Sequence, residues 1–92
     1  MYIVYVLVND SGTKRYIGMT NNLELRLREH NQGHTRSTKN QTWHVAYKEE
    51  AKDRASARRR EKYLKSAAGR RYLQNILASY LPDYVSQAGF KG

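Results

Sequence analysis

The chain has 92 residues and a formal net charge of +9 at neutral pH, from 17 Lys and Arg against 8 Asp and Glu. A chain of this length buries one core, so we expect a single domain over residues 1–82 and a loosely ordered tail over residues 83–92. The absence of cysteine excludes disulfides and thiolate zinc sites and is typical of a cytoplasmic protein.

The positive charge predicts a polyanionic partner, and nucleic acid is the commonest partner of a basic domain. Nine Lys or Arg lie between Lys52 and Arg71, with only two acids among them. A solvated helix face is the alternative interpretation, but charge this one-sided favours nucleic acid. The first apolar run, residues 2–8, is too short to span a membrane and lacks the basic start of a signal peptide, so we expect no membrane association.

Two strand-like runs open the chain, residues 4–8 and 14–18, and the turn-rich residues 9–13 separate them. This pattern predicts a β-hairpin. A helix follows, because the asparagines at residues 21–22 can cap it and Gly33 can end it.

The hairpin register decides whether two tyrosines meet. With the turn centred between the strands, Leu7 is opposite Tyr16 and Tyr5 is opposite Gly18. The two phenols then lie on one face as diagonal neighbours, about 7–8 Å apart. A slip of one residue would place them on opposite faces.

The polar residues 34–42 have no periodicity and predict a loop. Residues 43–47 alternate, which predicts a third strand with Trp43, Val45 and Tyr47 on one side.

Two helices complete the predicted fold. Asp53 or Ser56 caps the first, which runs to about Ala67 and is interrupted by Gly69. Apolar residues at three-to-four spacing over residues 72–80 predict the second, which ends near the single proline. The order is therefore ββαβαα, and we expect an α+β fold with a three-stranded antiparallel sheet flanked by helices.

One set of residues resembles the motifs of the GIY-YIG nuclease superfamily, in particular its small, single-domain, stand-alone branch: Tyr5, the triplet Tyr16-Ile17-Gly18, Arg26, His30 and Glu61. The resemblance runs from about residue 2 to residue 73. Where the family name has Gly-Ile-Tyr, this chain has Ile3-Val4-Tyr5. Ile and Val suit a buried strand, and the chemically useful tyrosine is kept.

The resemblance implies catalytic roles for four of these side chains. Tyr5 would be the general base that activates water, with a nearby cation lowering its pKa from about 10, and Tyr16 would orient the water or the phosphate. Arg26 would stabilise the pentavalent transition state through its planar donor fork. His30 would bind the adjacent phosphate or assist proton transfer.

The resemblance also implies that Glu61 holds one Mg²⁺ or Mn²⁺ ion. Helical spacing places Glu61 on the face of Ala57 and Leu64, leaning toward the core. From the residues alone, an ion pair with Lys65 is the simpler interpretation, and only the resemblance favours the metal. Many family members carry a further Asn after the glutamate, and Asn75 lies near that position.

Other residues are candidates for nucleic-acid binding. Gly18 would leave space for a phosphate to approach the backbone. The basic candidates for phosphate contacts are Lys14, Arg15, Arg36, Lys39, Arg58 and Arg59.

Taken together, these features predict a metal-dependent DNA endonuclease that selects structure rather than sequence and acts in DNA repair or processing. One alternative is a nucleic-acid-binding module with the same fold and no turnover. Another is an accessory subunit of a larger repair complex, in which a protein partner supplies substrate specificity. We expect a monomer or a weak dimer.

Overall fold

The computed structural model describes residues 1–33 and 41–80, with side chains described as far as residue 77. It confirms the predicted order ββαβαα and the α+β fold. The elements are β1 (Tyr2–Asn9), β2 (Arg15–Thr20), α1 (Leu23–Asn31), β3 (Trp43–Ala51), α2 (Arg54–Lys65) and α3 (Ala67–Tyr80). The tail predicted over residues 83–92 lies outside the described residues.

The three strands form an antiparallel sheet in the order β2-β1-β3, with β1 in the centre. The hairpin register is the predicted one, with Leu7 opposite Tyr16 and Tyr5 opposite Gly18. Gly12 turns the chain between the two strands with φ of 72°, a conformation that glycine adopts without strain. Both tyrosines therefore project from the same face of the hairpin.

Helices cover both faces of the sheet. Val4 and Val6 on β1 pack with residues of α2 and α3, among them Leu64 and Leu73. The alternate β1 residues pack on the other face, which α1 covers: Ile3, Tyr5 and Leu7 lie with Leu23, Leu27 and Trp43. Burial on both faces explains why β1 is a continuous apolar run rather than an alternating one.

The third strand differs from the prediction, because a β-bulge changes which side chains share a face. Val45 is opposite Leu7, but Tyr47 is opposite Val6, so the residue between them has no partner on β1. An extra residue reverses the alternation that follows it. Trp43 consequently packs with Leu7, whereas Tyr47 packs on the other face with Val6. The expectation that Trp43, Val45 and Tyr47 lie on one side is wrong.

The helix ends follow the predicted capping residues. Asn22 accepts a hydrogen bond from the Leu25 N–H, and Asp53 accepts one from the Ser56 N–H. Each side chain satisfies a backbone donor that has no partner within its helix. Gly33 has φ of 80° just after α1, where a left-handed residue ends a helix.

The break between α2 and α3 lies at Ser66 and not at Gly69 as predicted. The Ser66 N–H bonds to the Tyr63 carbonyl at the end of α2, and its hydroxyl accepts from the Gly69 N–H in the first turn of α3. Gly69 lies inside α3, where an added Cβ would be 2.0 Å from the Tyr63 oxygen and 2.5 Å from the Leu64 Cα. Glycine at this position thus allows α3 to pack directly on the end of α2.

Candidate active site

A pocket of about 330 Å³ lies beside the edge strand β2, where α1 and α2 approach the hairpin. Its lining includes Tyr5, Tyr16, Gly18, Arg26, Arg58 and Glu61, all of which the sequence predicted as site residues. Four of the five predicted catalytic side chains thus share one concave surface. The fifth, His30, is hydrogen-bonded to one of the four.

Gly18 makes room for the Tyr5 phenol. An added Cβ at Gly18 would lie 2.7 Å from the Tyr5 Oη, 2.8 Å from the Tyr5 Cζ and 2.9 Å from the Tyr16 Cε1. All three distances are shorter than non-bonded contacts with a Cβ atom allow, so only glycine fits beside the two rings. The tyrosine rings therefore occupy the space beside Gly18. The predicted contact between Gly18 and a phosphate stays a prediction.

Tyr5, Tyr16 and His30 form a compact group of three rings. The Tyr5 Oη and the His30 Nε2 are 3.0 Å apart, and both side chains are almost completely buried. The ring centres of Tyr16 and His30 are 4.6 Å apart, and those of the two tyrosines are 6.3 Å apart. His30 reaches this position from the buried face of α1 and holds the Tyr5 hydroxyl by a direct hydrogen bond.

Burial controls the protonation of this pair. The pKa of Tyr5 is raised to about 12, chiefly because burial disfavours the phenolate, and the neighbouring Arg26 opposes this effect only in part. The expected lowering by a nearby cation is present, but burial outweighs it, so the expectation of a net lowered pKa for Tyr5 is wrong for the free protein. The pKa of His30 is lowered, first by burial and then by the charge of Arg26. At neutral pH both groups are therefore uncharged, and in the tautomer that carries its proton on Nδ1 the His30 Nε2 accepts from the Tyr5 hydroxyl.

Arg26 is held between an acid and the two phenols. Its Nη1 donates to the Glu29 Oε1 at 3.0 Å, so the guanidinium is paired with an acid three residues later on α1. Burial disfavours its charge, but interactions with Glu29, Tyr5 and Tyr16 outweigh this and raise its pKa. Because the side chain is still one-third exposed and lines the pocket, its guanidinium can also reach an anion there.

Glu61 lies where helical spacing predicts, on the face of the buried Ala57 and Leu64. Its side chain is 15% exposed, and its Oε2 is 3.3 Å from the Lys65 Nζ. The ion pair expected from the residues alone is therefore formed, and the same carboxylate lines the pocket.

The donor set of the pocket suits a metal that takes few protein ligands. Within residues 1–33 and 41–80, no group of three or more His, Cys, Asp and Glu could enclose a metal ion. Among the described residues that line this pocket, Glu61 is the single carboxylate. Mg²⁺ binds through one or two carboxylates and otherwise keeps its waters and substrate phosphates, so Glu61 fits such an ion.

Of the described residues that line the pocket, five were not predicted as site residues: Tyr2, Met19, Thr20, Asn21 and Arg54. Arg54 is the one among them that carries a charge. Arg54 lines the pocket with Arg58 and Glu61, which follow it by four and seven residues along α2. This spacing places all three on one helix face, so the periodicity around Glu61 would have been sufficient to identify Arg54.

Not all of the positive charge on α2 faces the pocket. Arg59 donates to the Ser56 hydroxyl on the exposed side of the helix and is not among the lining residues. The Arg60 guanidinium lies 4.9 Å and 5.0 Å from the ring centres of Tyr63 and Tyr72, and it pairs with Glu49 on β3. Arg60 therefore joins α2, α3 and the sheet.

The other candidates lie apart from this pocket. Lys14 is exposed in the hairpin turn, and Arg15 lines a different pocket beside β2. Asn75 is exposed on α3 and is not among the residues that line the active-site pocket. Arg36 and Lys39 lie outside the described residues.

Comparison with known families agrees with this geometry. The family model of the GIY-YIG catalytic domain matches residues 1–74, which is more than half of the chain and includes every predicted catalytic residue. Searches of curated proteins and of solved structures gave no significant match. None of the helices described here has the length and apolar character to cross a membrane. The chain therefore belongs to the GIY-YIG family of endonucleases, and the substrate that this domain implies is nucleic acid.

Proposed function

We propose that the protein is a divalent-metal-dependent endonuclease that hydrolyses phosphodiester bonds of DNA in the pocket beside β2. The observation that supports this most directly is the convergence of Tyr5, Tyr16, Arg26 and Glu61, which come from four different elements. Hydroxyl, guanidinium and carboxylate groups in one concave surface can respectively move a proton, bind a phosphate and hold a hard cation.

Arg26 binds the phosphate at the bond to be cleaved. Its pairing with Glu29 uses part of the guanidinium and fixes its direction, while other N–H groups can meet phosphate oxygens in the pocket. A planar guanidinium matches the geometry of phosphate oxygens and stabilises the charge that develops as water attacks.

Tyr5 and His30 move the proton of the attacking water. Because the pKa of Tyr5 is about 12, its phenolate is too scarce at neutral pH to act as a free base. The 3.0 Å hydrogen bond to His30 offers another route. The Tyr5 oxygen accepts the proton of the water while its own proton passes to the His30 Nε2. The water oxygen bonds to phosphorus, and the bond to the 3′ oxygen breaks.

Glu61 would hold one Mg²⁺ or Mn²⁺ ion. When bound, such an ion neutralises phosphate charge and stabilises the leaving 3′ oxygen. The chain's own contribution is to present a single, partly buried carboxylate between Arg26 and the arginines of α2.

A cleavage assay tests this proposal. Labelled single-stranded, duplex, flap and four-way-junction DNA would be incubated with Mg²⁺, with Mn²⁺ and with chelator. We expect metal-dependent products from the wild type and none from Glu61→Gln, which removes the charge at constant shape. Glu50→Gln is the matched control, because Glu50 is an exposed acid on β3 that does not line the pocket. Cleavage that survives Glu61→Gln would contradict the assignment of the metal ligand.

The same panel addresses substrate choice and the alternatives. Preference for the flap or junction would support a structure-selective enzyme in DNA repair or processing, and an RNA panel would test the choice of DNA. Binding without product would favour the non-catalytic module. Product that appears only with a co-purified protein would favour the accessory subunit. The cytoplasmic location stays a prediction.

A further inference from the structure

A second basic pocket lies on β2 next to the active site. Its volume is about 450 Å³, and its lining residues are Arg15, Tyr16, Ile17, Lys65 and Arg70. Of these five described side chains, three carry a positive charge and none is acidic. They come from β2, α2 and α3, so the fold brings them together from separate parts of the chain.

Two of these positive charges, those of Arg15 and Arg70, repel each other. The pKa of Arg15 is lowered, first by burial and then by electrostatic repulsion from the charge of Arg70. Lys65 is turned toward Glu61, its partner one turn earlier, at 3.3 Å. A bound anion would relieve the repulsion between these cations.

The position of this pocket relative to the active site indicates the ligand. Tyr16 lines both pockets and forms their common wall. Along α2, Glu61 lines the first pocket and Lys65 the second. Four residues of α-helix correspond to about 6 Å. One strand of a nucleic acid advances about 3.4 Å per phosphate along a duplex axis, so this distance is one or two nucleotides.

We propose that Arg15, Lys65 and Arg70 form a phosphate-binding site for the strand that is cleaved, one or two nucleotides from the scissile bond. This inference rests on the proposed function, because it assumes that the scissile phosphate lies at Arg26 and Glu61. The site fixes the register of the strand in the active site and reads no base.

A nucleic-acid backbone fits this surface better than an isolated anion does. The pocket is open and shares Tyr16 with the active-site pocket, which also binds phosphate in the proposed mechanism. Arg54 and Arg58 extend the same α2 face on the far side of Glu61. The positive charges therefore follow a line, as the phosphates of one strand do.

Binding measured without cleavage tests the site. Fluorescein-labelled single-stranded and duplex DNA would be titrated in chelator, from about 50 to 200 mM salt. We expect Arg70→Gln to weaken binding about tenfold. The plot of log affinity against log salt should become shallower, with the magnitude of its negative slope smaller by about 0.7 to 0.9. The control is Arg71→Gln, which removes the same charge from the next, exposed position of α3, outside the pocket. It should change affinity by less than about twofold.

A second measurement locates the phosphate. Each phosphate of the bound strand would be replaced in turn by a neutral methylphosphonate. One replacement, one or two nucleotides from the scissile bond, should weaken binding by the wild type but not by Arg70→Gln. Equal losses for Arg70→Gln and Arg71→Gln, or losses spread evenly over all replacements, would overturn the proposal.

These results are separable from the test of nuclease activity. If Arg70→Gln shows the specific loss but no DNA is ever cut, the phosphate site stands and the proposed function fails. If Glu61-dependent cleavage is present and Arg70 behaves like Arg71, the nuclease stands and the phosphate site fails. Melting curves of both variants would show that each is folded.

Discussion

The Tyr5 hydroxyl and the His30 Nε2 are hydrogen-bonded at 3.0 Å, and His30 has no exposed surface. Tyr5 comes from the central strand and His30 from the last turn of α1, so the bond fastens the helix to the sheet. Protonation of His30 would make the Nε2 a donor to the phenol oxygen and would place a positive charge in a buried position that disfavours it. The titration of His30 therefore affects both the stability of the fold and the protonation of the Tyr5–His30 pair in the active site.

The free energy of unfolding should fall as the pH drops below about 6.5. The pKa of His30 is lowered in the folded protein, so the unfolded chain binds the proton more readily. The stabilisation by the neutral, buried His30 is complete above the pKa of histidine in the unfolded chain and is lost as the pH falls through the lower pKa of the folded protein. Uptake of one proton on unfolding changes the free energy of unfolding by at most about 1.4 kcal/mol per pH unit.

Urea unfolding between about pH 5 and pH 8 would measure this dependence. His30→Gln should flatten it, because glutamine can accept from Tyr5 without titrating. His44→Gln is the control, since His44 is exposed and paired with Asp10 at the surface. The same decline in His30→Gln as in the wild type would contradict the assignment.

Tyr5→Phe should reduce the cleavage rate by about 10² to 10⁴, the usual contribution of a proton-transfer group. Affinity for DNA in chelator should stay within about twofold, because the hydroxyl is buried against His30 and carries no charge. Tyr63→Phe, at an exposed position on α2, is the control. Single-turnover rates would separate chemistry from binding, and an unchanged rate in Tyr5→Phe would exclude the proton relay.

Gly18→Ala should impair cleavage more than it impairs folding. The new methyl group would overlap Tyr5 and Tyr16, and the buried Tyr5 ring must move to accommodate it. We expect a loss of stability of about 1–3 kcal/mol and a loss of activity of about 10²-fold from a displacement of the hydroxyl. Thermal melts and cleavage rates of the same preparation would show this. Wild-type activity would mean that the position of the Tyr5 hydroxyl is unimportant.

The hairpin and the face of Glu61 could be predicted because both depend on local spacing. A turn of fixed length sets Tyr5 opposite Gly18, and a helical repeat sets Glu61 between Ala57 and Leu64. In these cases the residues that determine the position are close in sequence.

Other features depend on contacts between distant residues. The bulge in β3 is a mismatch with β1, and strand alternation alone gave no sign that Tyr47 changes face. The raised pKa of Tyr5 comes from a burial that α1 completes. Gly69 suggested a break, yet its role is to let α3 pack on Leu64, and a glycine in the sequence does not distinguish the two.

Gly69→Ala should destabilise the protein although alanine is the better helix former. The gain in helix propensity is about 1 kcal/mol. The added Cβ would be 2.0 Å from a backbone oxygen, which can give way only if α2 and α3 separate. We expect a net loss of about 2–4 kcal/mol in urea unfolding. Asn75→Ala, on the exposed face of the same helix, should instead be neutral or slightly stabilising. A more stable Gly69→Ala would contradict the close packing.

Lys65→Gln should lower the Mg²⁺ concentration needed for half-maximal cleavage at saturating DNA. The Lys65 ammonium is 3.3 Å from the Glu61 carboxylate and must be displaced when that carboxylate binds a cation. A helical pair of this spacing contributes about 0.2–0.5 kcal/mol, so the Mg²⁺ concentration should shift by about twofold. Lys62→Gln is the control, because Lys62 is exposed on α2 and lines neither pocket. A higher Mg²⁺ requirement in Lys65→Gln would show that the lysine supports metal binding rather than competing with it.

Arg54 and Arg58 add positive charge around Glu61, so we expect calorimetry to detect Mg²⁺ binding only when DNA is present.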